Sequence, residues 1–388
     1  MVSSINIKKF CIFAKFLIYM KIHGFIFIVI ILFIIINFYI FYSFQKTVPL
    51  QIVKTILLIL QISGFLMFIS TFLFSNYLNY NVTAFFYKIG TTYFFVMLYM
   101  LIICVLVDCI RIFPFHFKKY FYNNWIVFFT IILFITSLFT IGYINYKHKK
   151  RIEFTIESNK NINNGNLKIV AISDLHLGFN INKNEFSKWI DLINKEEADI
   201  VIIAGDIIDN SLKPLIEQNF AELFYKIKTK YGIFAVPGNH EYHAGIEKTV
   251  NFFKKTNICY LKDSVLLVNN NFYIIGRDDK SNNERKTIKE LCQEIDSSKF
   301  TILIDHQPIN LKESEQNNIN FQFSGHTHDG QLYPIKWFTN LMYEKSHGYI
   351  KKSNTNYFIS SGIGIWGGKY RIGSSSEYVV INVKGIKK

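Results

Sequence analysis

Two patterns of hydrophobic and polar positions divide the 388 residues near residue 150. Before that point lie four apolar runs, residues 24–44, 55–75, 89–107 and 125–144. Each has about the 20 residues a helix needs to cross ~30 Å of hydrocarbon. The first run contains no charge at all. A buried soluble helix seldom stays apolar on every face for so long, so the pattern predicts four membrane-spanning helices over residues 1–150. Tyr39, Tyr42, Tyr93, Trp125 and Tyr143 stand near the run ends, where interfacial aromatics fit. A cleaved signal peptide would account for the first run at most, and no small-residue cleavage site follows it.

From Arg151 onward the apolar stretches shorten and polar segments separate them. Residues 167–173, 199–204, 232–236 and 300–304 read as buried strands. Residues 265–268 and 272–275, flanking Asn269-Asn270-Asn271, read as a hairpin. Helical patterns fall between them, at 183–195 and 214–228. Alternating strands and helices predict an α/β domain over 151–388, and no internal repeat is visible.

Charge sharpens the division. Residues 1–150 carry 13 Lys and Arg against a single acid, Asp108, whereas residues 151–388 hold 30 basic and 27 acidic residues. The excess charge borders apolar runs instead of forming a groove-facing patch, so no nucleic-acid partner is expected. The bilayer is the expected partner. Lys8, Lys9, Lys15, Lys21, Lys88, Lys147, Lys149, Lys150 and Arg151 fall on one side of a four-span arrangement; Lys46, Arg111, Lys118 and Lys119 fall on the other. The positive-inside bias therefore predicts a multi-pass cell-membrane protein with a cytoplasmic C-terminal half. Lys54 and Asp108 lie only at run edges, which argues against a polar transport path. Cys259 and Cys292 form no CxxC spacing and read as idle thiols.

Candidate chemistry is confined to five islands: Asp174-x-His176, Gly205-Asp206-x-x-Asp209, Gly238-Asn239-His240-Glu241, His306 and Gly325-His326-x-His328. The first three follow predicted strands directly, and strand C-termini are where loops of an α/β sheet converge. In an extended segment, alternate residues place both imidazoles of Gly325-His326-Thr327-His328 on one side. Glycines at 205, 238 and 325 permit close backbone approach. Each island alone is a weak signal; the ordered set supplies oxygen and imidazole ligands for two adjacent divalent cations.

The set resembles the calcineurin-like metallophosphoesterase superfamily over about residues 167–384. Ile172-Ser173-Asp174-Leu175-His176, Gly276-Arg277-Asp278-Asp279, Asp305-His306-Gln307-Pro308 and the segment from Gly325 to Gln331 are most similar to its bacterial membrane-associated branch. That branch is similar to the YkuE/YaeI-type phosphoesterases and to UDP-2,3-diacylglucosamine pyrophosphatases. Ser361-Gly362-Ile363-Gly364, Arg371 and Glu377 resemble it less specifically. The resemblance implies a two-sheet sandwich flanked by helices. It further implies one metal on Asp174, His176, Asp206 and His328, and another on Asp206, Asn239, His306 and His326, with Asp206 bridging. Nitrogen and oxygen ligation without thiolate suits Mn, Fe or Zn. Such a pair clamps phosphoryl oxygens and brings the pKa of a bound water from ~16 to near 7, so that hydroxide is available to attack phosphorus. His240 is implied as a catalytic, non-ligating group that stabilises the transition state or protonates the leaving oxygen. Asp209 would hydrogen-bond His240, or cap a helix, or both.

Lesser features are read in two ways. Arg277 contacts a phosphate or nucleotide, or sits in a surface turn. His243 and His347 read as solvated loop histidines. Trp337, Phe338, Leu341 and Met342 form an apolar lip or dip into the bilayer, or else pack in the core. The expected function is hydrolysis of a phosphoester or pyrophosphate bond in a lipid-linked or nucleotide-lipid substrate. The alternatives are a membrane-tethered phosphodiesterase or phosphoprotein phosphatase, and a non-catalytic metal-dependent membrane sensor.

Overall fold

The computed structural model describes residues 28–75, 77–112, 118–162 and 165–386; the four lysines between 8 and 21 and the start of the first apolar run lie outside them. Four helices open the described chain: α1 (Ile28–Thr47), α2 (Gln51–Phe74), α3 (Tyr80–Ile112) and α4 (Trp125–Lys147). All four are long and apolar enough to cross a membrane. At 33 residues α3 is the longest, spanning about 50 Å at 1.5 Å per residue. It starts well ahead of its apolar run, and this early part carries Tyr80, Ala84 and Tyr87 at i, i+4 and i+7, one face that packs on Phe179.

The described chain divides into two compact units. One holds the residues up to Ile69 together with Tyr93–Thr136; the other holds Ser70–Thr92 and the chain from Ser137 onward. Within the first, buried Arg111 pairs with Asp108 at 2.8 Å and donates to the carbonyls of Ser43 and Phe121, so its charge is fully engaged.

The second unit is built on two six-stranded sheets. The first runs in the order β1 (Lys149–Asn161), β12 (Ser376–Ile386), β2 (Asn166–Ile172), β3 (Ile200–Ala204), β4 (Gly232–Val236), β5 (Ile258–Tyr260). The second runs β10 (Gly348–Lys352), β11 (Thr355–Ile359), β9 (Phe321–Ser324), β8 (Phe300–Ile304), β7 (Phe272–Gly276), β6 (Ser264–Val268). Strands β2 to β5 are parallel, as are β7, β8, β9 and β11, and β6–β7 is the expected antiparallel hairpin.

Strand periodicity explains the layering. All five residues of β3 are buried, yet Ile200, Ile202 and Ala204 enter the core between the sheets, whereas Val201 and Ile203 join the outer core. That outer core collects residues of α5 (Lys183–Asn194), α6 (Lys213–Glu217), α7 (Phe220–Phe224) and, beyond α8 (Asn239–Ala244), α9 (Ile246–Phe253). On the far face of the second sheet, α10 (Ile288–Leu291) covers Ile275 and Leu303; α11 (Lys312–Gln316) and α12 (Ile335–Met342) complete the helices. The helix expected over 214–228 is instead two short ones, because Asn219 adopts a left-handed backbone (φ 54°) between α6 and α7. Strands β2, β3, β4, β8 and β9 point their C-termini at one edge of the sandwich and deliver Asp174, Asp206, Asn239, His306 and His326 to it.

Candidate metal centre

Seven predicted ligands converge at that edge. His176 Nε2 lies 3.1 Å from His328 Nε2, and His328 Nε2 lies 3.6 Å from Asp174 Oδ1. Across the site, His306 Nε2 lies 3.2 Å from Asn239 Oδ1, 3.3 Å from His326 Nδ1 and 3.3 Å from Asp206 Oδ2. Asp206 Oδ2 is also 3.8 Å from His176 Nε2, so one carboxylate oxygen faces both groups. Ligand atoms of Asp174, His176 and His328, of Asp206, His306 and His326, and of His176, Asp206 and His240 each fall within 4.8 Å of one another.

The donor chemistry fits cations. His306 Nδ1 lies 2.8 Å from the Ala204 carbonyl. It must carry a proton there, so the neutral ring turns its Nε2 lone pair toward Asn239, His326 and Asp206. Atoms bound to a common ion at 2.0–2.2 Å stand about 3–3.5 Å apart, which is the spacing found. His176 Nδ1 is buried without a hydrogen-bond partner and faces Asp209 Oδ1 at 3.5 Å, a carboxylate oxygen equally unpartnered. A ligating imidazole turns its second nitrogen toward such an outer group.

Protonation favours the same use. Burial, and next the charge of His306, lower His326 to about 4; burial and then His176 hold His328 well below its ordinary value. Both rings are therefore neutral near pH 7, the ligating form. Burial alone would raise Asp206, but the charge and hydrogen bond of His306 together with the charges of His240 and His176 outweigh it and hold the carboxyl well below its usual range. Burial likewise opposes the charge on His306 and His240, yet Asp206 acting with Asp174 and Asp279 at the first, and with Asp209 and Glu241 at the second, raises both.

The loops are tightly specified. Asp174, His176, Asp206, His326 and His328, five of the seven candidate ligands, have φ between 46° and 70°. Non-glycine residues adopt this region at a cost of about 1–3 kcal/mol each unless their surroundings impose it. Close approach explains two glycines: a Cβ on Gly238 would lie 2.2 Å from Asp206 Oδ1, and one on Gly325 would lie 2.3 Å from Asp174 Oδ2.

His240 Nδ1 contacts the main-chain carbonyl of Asp209, while the Asp209 carboxylate stands 3.9 Å away. Asp209 caps no helix, since α6 starts at Lys213 with Leu212 as its N-cap. Its other oxygen accepts a 2.5 Å hydrogen bond from the buried hydroxyl of Tyr87 on α3. No sequence signal marked Tyr87. Glu241, to which the sequence motif assigns no role, is fully buried and accepts from the N–H groups of Asp206, Ile208 and Gly238 at 3.0, 2.9 and 2.7 Å. It thereby ties two ligand loops together, and burial followed by Asp206 raises its carboxyl to about 7.

Arg371, also fully buried, donates to the carbonyls of His328, Ser361, Gly362 and Gly364, clamping the last ligand loop. Arg277 is neither a surface turn nor open to a ligand: it is buried and pairs with Asp305 and Glu313. His243 is exposed, but His347 binds Glu377 at 3.1 Å. Trp337, Phe338, Leu341 and Met342 do not pack in the core; they are 58–85% exposed on α12.

Comparison with known proteins places this geometry. Residues 167–330 match the model of the calcineurin-like phosphoesterase family. An uncharacterized metallophosphoesterase of Campylobacter jejuni is 34% identical over 57% of this chain and 60% of its own. One from Aquifex aeolicus is 30% identical over 61% of this chain and 92% of its own. A Danio rerio transmembrane protein with metallophosphoesterase domain is 28% identical over 65% and 62% of the respective chains. The chain belongs to the calcineurin-like metallophosphoesterase family, and with its four apolar helices it is a membrane member of it. It spans about 60% of the length of the first relatives it matches.

Proposed function

We propose that the protein is a membrane-anchored, metal-dependent hydrolase that cleaves a phosphoester or pyrophosphate bond in a lipid-linked substrate, with its catalytic half in the cytoplasm. The observation that supports the reading best is the convergence of His306 Nε2, Asn239 Oδ1, His326 Nδ1 and Asp206 Oδ2 at 3.2–3.3 Å around His306, a crowding of potential lone pairs that a bound cation would satisfy together. Asp174, His176, Asp206 and His328 would hold one divalent ion and Asp206, Asn239, His306 and His326 the other; Mn, Fe and Zn all suit these donors. With both ions bound, the site gains positive charge against the phosphoryl oxygens and a water acidic enough to act as nucleophile near neutral pH.

The chain's own groups supply the rest. The Asp209 carbonyl fixes the His240 ring at Nδ1, so Nε2 faces the site and offers its proton to the departing oxygen. Raised by Asp206 and Asp209 against burial, His240 holds that proton more readily than a free imidazole. Three features support a membrane substrate and cytoplasmic placement. By the sequence pattern, nine flanking cations would share one side of a four-span arrangement against four on the other. The α2–α3 turn is held by Lys213, which donates to the carbonyls of Ser75 and Leu78. On α12, Trp337, Phe338, Leu341 and Met342 present an apolar face of the kind that lies in the headgroup layer.

The test uses the full chain in lipid nanodiscs. With Mn²⁺ it should hydrolyse bis(p-nitrophenyl) phosphate, lose that activity in EDTA, and fall roughly 10²–10⁴-fold in kcat as His240→Ala. Two bound ions per chain with no turnover under Mn, Fe or Zn would favour a metal-dependent sensor instead.

A further inference from the structure

Tyr87 joins α3 to the candidate metal centre. Residues 70–92 cluster with the sandwich, and within them Tyr87 is buried. Its hydroxyl donates to Asp209 Oδ2 at 2.5 Å, the short length expected of a hydroxyl on a carboxylate. The opposite oxygen, Oδ1, accepts no hydrogen bond and faces His176 Nδ1 at 3.5 Å, a nitrogen equally without a partner. One carboxylate thus stands between a membrane-helix hydroxyl and the back of a candidate ligand.

The loops around this contact are tied to each other and to α3. His176 and Leu177 N–H groups donate to the carbonyls of Asp206 and Ile207 at 2.9 Å, and the Asp209 N–H returns to the Leu177 carbonyl at 3.0 Å. Gly178 permits the approach, since a Cβ there would stand 3.1 Å from Asp209 Cβ. Phe179, on the loop that carries His176, has its ring 6.3 Å from that of Tyr87 and 5.9 Å from that of Tyr80. Lys213 holds the turn before α3 by donating to the carbonyls of Ser75 and Leu78. A phenylalanine at position 87 would keep the ring contact with Phe179; what the hydroxyl adds is the bond to Asp209.

Resting on the metal-dependent reading above, we propose that Tyr87 is a positioning residue of the metal centre. By holding one oxygen of Asp209 it keeps the other directed at His176 Nδ1. A proton on that nitrogen, aimed at a carboxylate, leaves the Nε2 lone pair for an ion shared with Asp174 and His328. Since α3 is long and apolar enough to cross a membrane, the outer support of the site comes from a membrane-spanning helix and not from the sandwich alone.

The experiment titrates metal-stripped full chain in nanodiscs with Mn²⁺ by calorimetry, comparing the unsubstituted protein, Tyr87→Phe, Asp209→Asn and the double variant. Tyr87→Phe should weaken one of the two ions by about three- to tenfold, the worth of one hydrogen bond, and leave the other unmoved. Because Tyr87 acts through Asp209, the double variant should lose less than the product of the single effects. A hydroxyl with a structural role alone would lower the melting temperature of the metal-free chain and leave Mn²⁺ affinity as it was. That result, or single effects that multiply in the double variant, would overturn the assignment while leaving the hydrolase reading intact. Two ions bound by the unsubstituted chain without hydrolysis of bis(p-nitrophenyl) phosphate would bring down the hydrolase reading instead. A chain that takes up no Mn²⁺ would overturn both.

Discussion

At the scale of single residues, Asp209 serves two neighbours through different atoms. Its carbonyl holds His240, and its carboxylate stands between the Tyr87 hydroxyl and His176 Nδ1. The two duties are separable by Asp209→Asn, which keeps the carbonyl. The Mn²⁺ concentration for half-maximal activity should rise about 10–100-fold, the usual effect of losing an outer partner of a ligating histidine. At saturating Mn²⁺, kcat should fall far less than in His240→Ala. A metal titration of both variants checks this; an unchanged half-saturation would show that His176 does not depend on the carboxylate. The convergence of the candidate ligands was legible because Asp, Asn and His recur beside glycines at strand ends. Glu241, Arg371 and Tyr87 were not legible in that way. Their work is to satisfy main-chain groups or a carboxylate brought near by folding, and local sequence carries no trace of such distant partners.

Elements were readable in proportion to their burial. The fully buried β3 and β8 and the four apolar helices stood out, whereas β1, with Lys, Arg and Glu among alternating Ile152, Phe154 and Ile156, did not. β1 is an edge strand, and exposure on its open side permits those charges. The exposed face of α12 has the opposite history: its apolar residues looked fit for a core and found none. If α12 lies in the headgroup layer, brominated phosphatidylcholine in the nanodisc should quench part of the tryptophan fluorescence, and the quenched share should drop in Trp337→Phe. Quenching identical in both proteins would leave the helix in water.

A second element-scale prediction concerns the tie between β12 and the segment before β10, where His347 meets Glu377 at 3.1 Å. Burial would lower His347, but hydrogen bonding to Glu377 and the charges of Glu377 and Asp329 raise it overall; Lys336 nearby opposes them. Glu377 is lowered despite burial, chiefly by its hydrogen bond to His347. The raised His347 therefore adds stability that is complete below its unfolded pKa, about 6.5, and fades as pH climbs through the folded value. The lowered Glu377 adds stability that fades as pH drops through its own folded value. Thermal unfolding of the native chain and of His347→Gln should differ most between these limits and converge in alkali; a gap that persists at high pH would refute the assignment.

For the whole molecule, the membrane segment and the catalytic sandwich are not independent cassettes. Residues 70–92 and 137–147 fold with the sandwich. Tyr146 is fully buried on Glu185, and Phe139 packs edge-on against Tyr370. Arg371 N–H donates to the Gly142 carbonyl at 2.9 Å. A chain begun at Lys149 would keep both sheets and all seven ligands but uncover Phe179 and Tyr370. It should self-associate and melt lower than the full chain, as light scattering and calorimetry would reveal. A monodisperse fragment of unaltered melting temperature would make the N-terminal helices a mere tether.

The left-handed backbone at five ligand positions has a bearing on how such a centre is altered or transplanted. Those sites tolerate few side chains, since branched or bulky ones resist that conformation. Exchanging one metal ligand for another of similar chemistry but different backbone taste would therefore fail for reasons unrelated to affinity. An engineer borrowing the centre must lift loops and side chains together, because here the path of the main chain sets where the candidate ligand atoms stand.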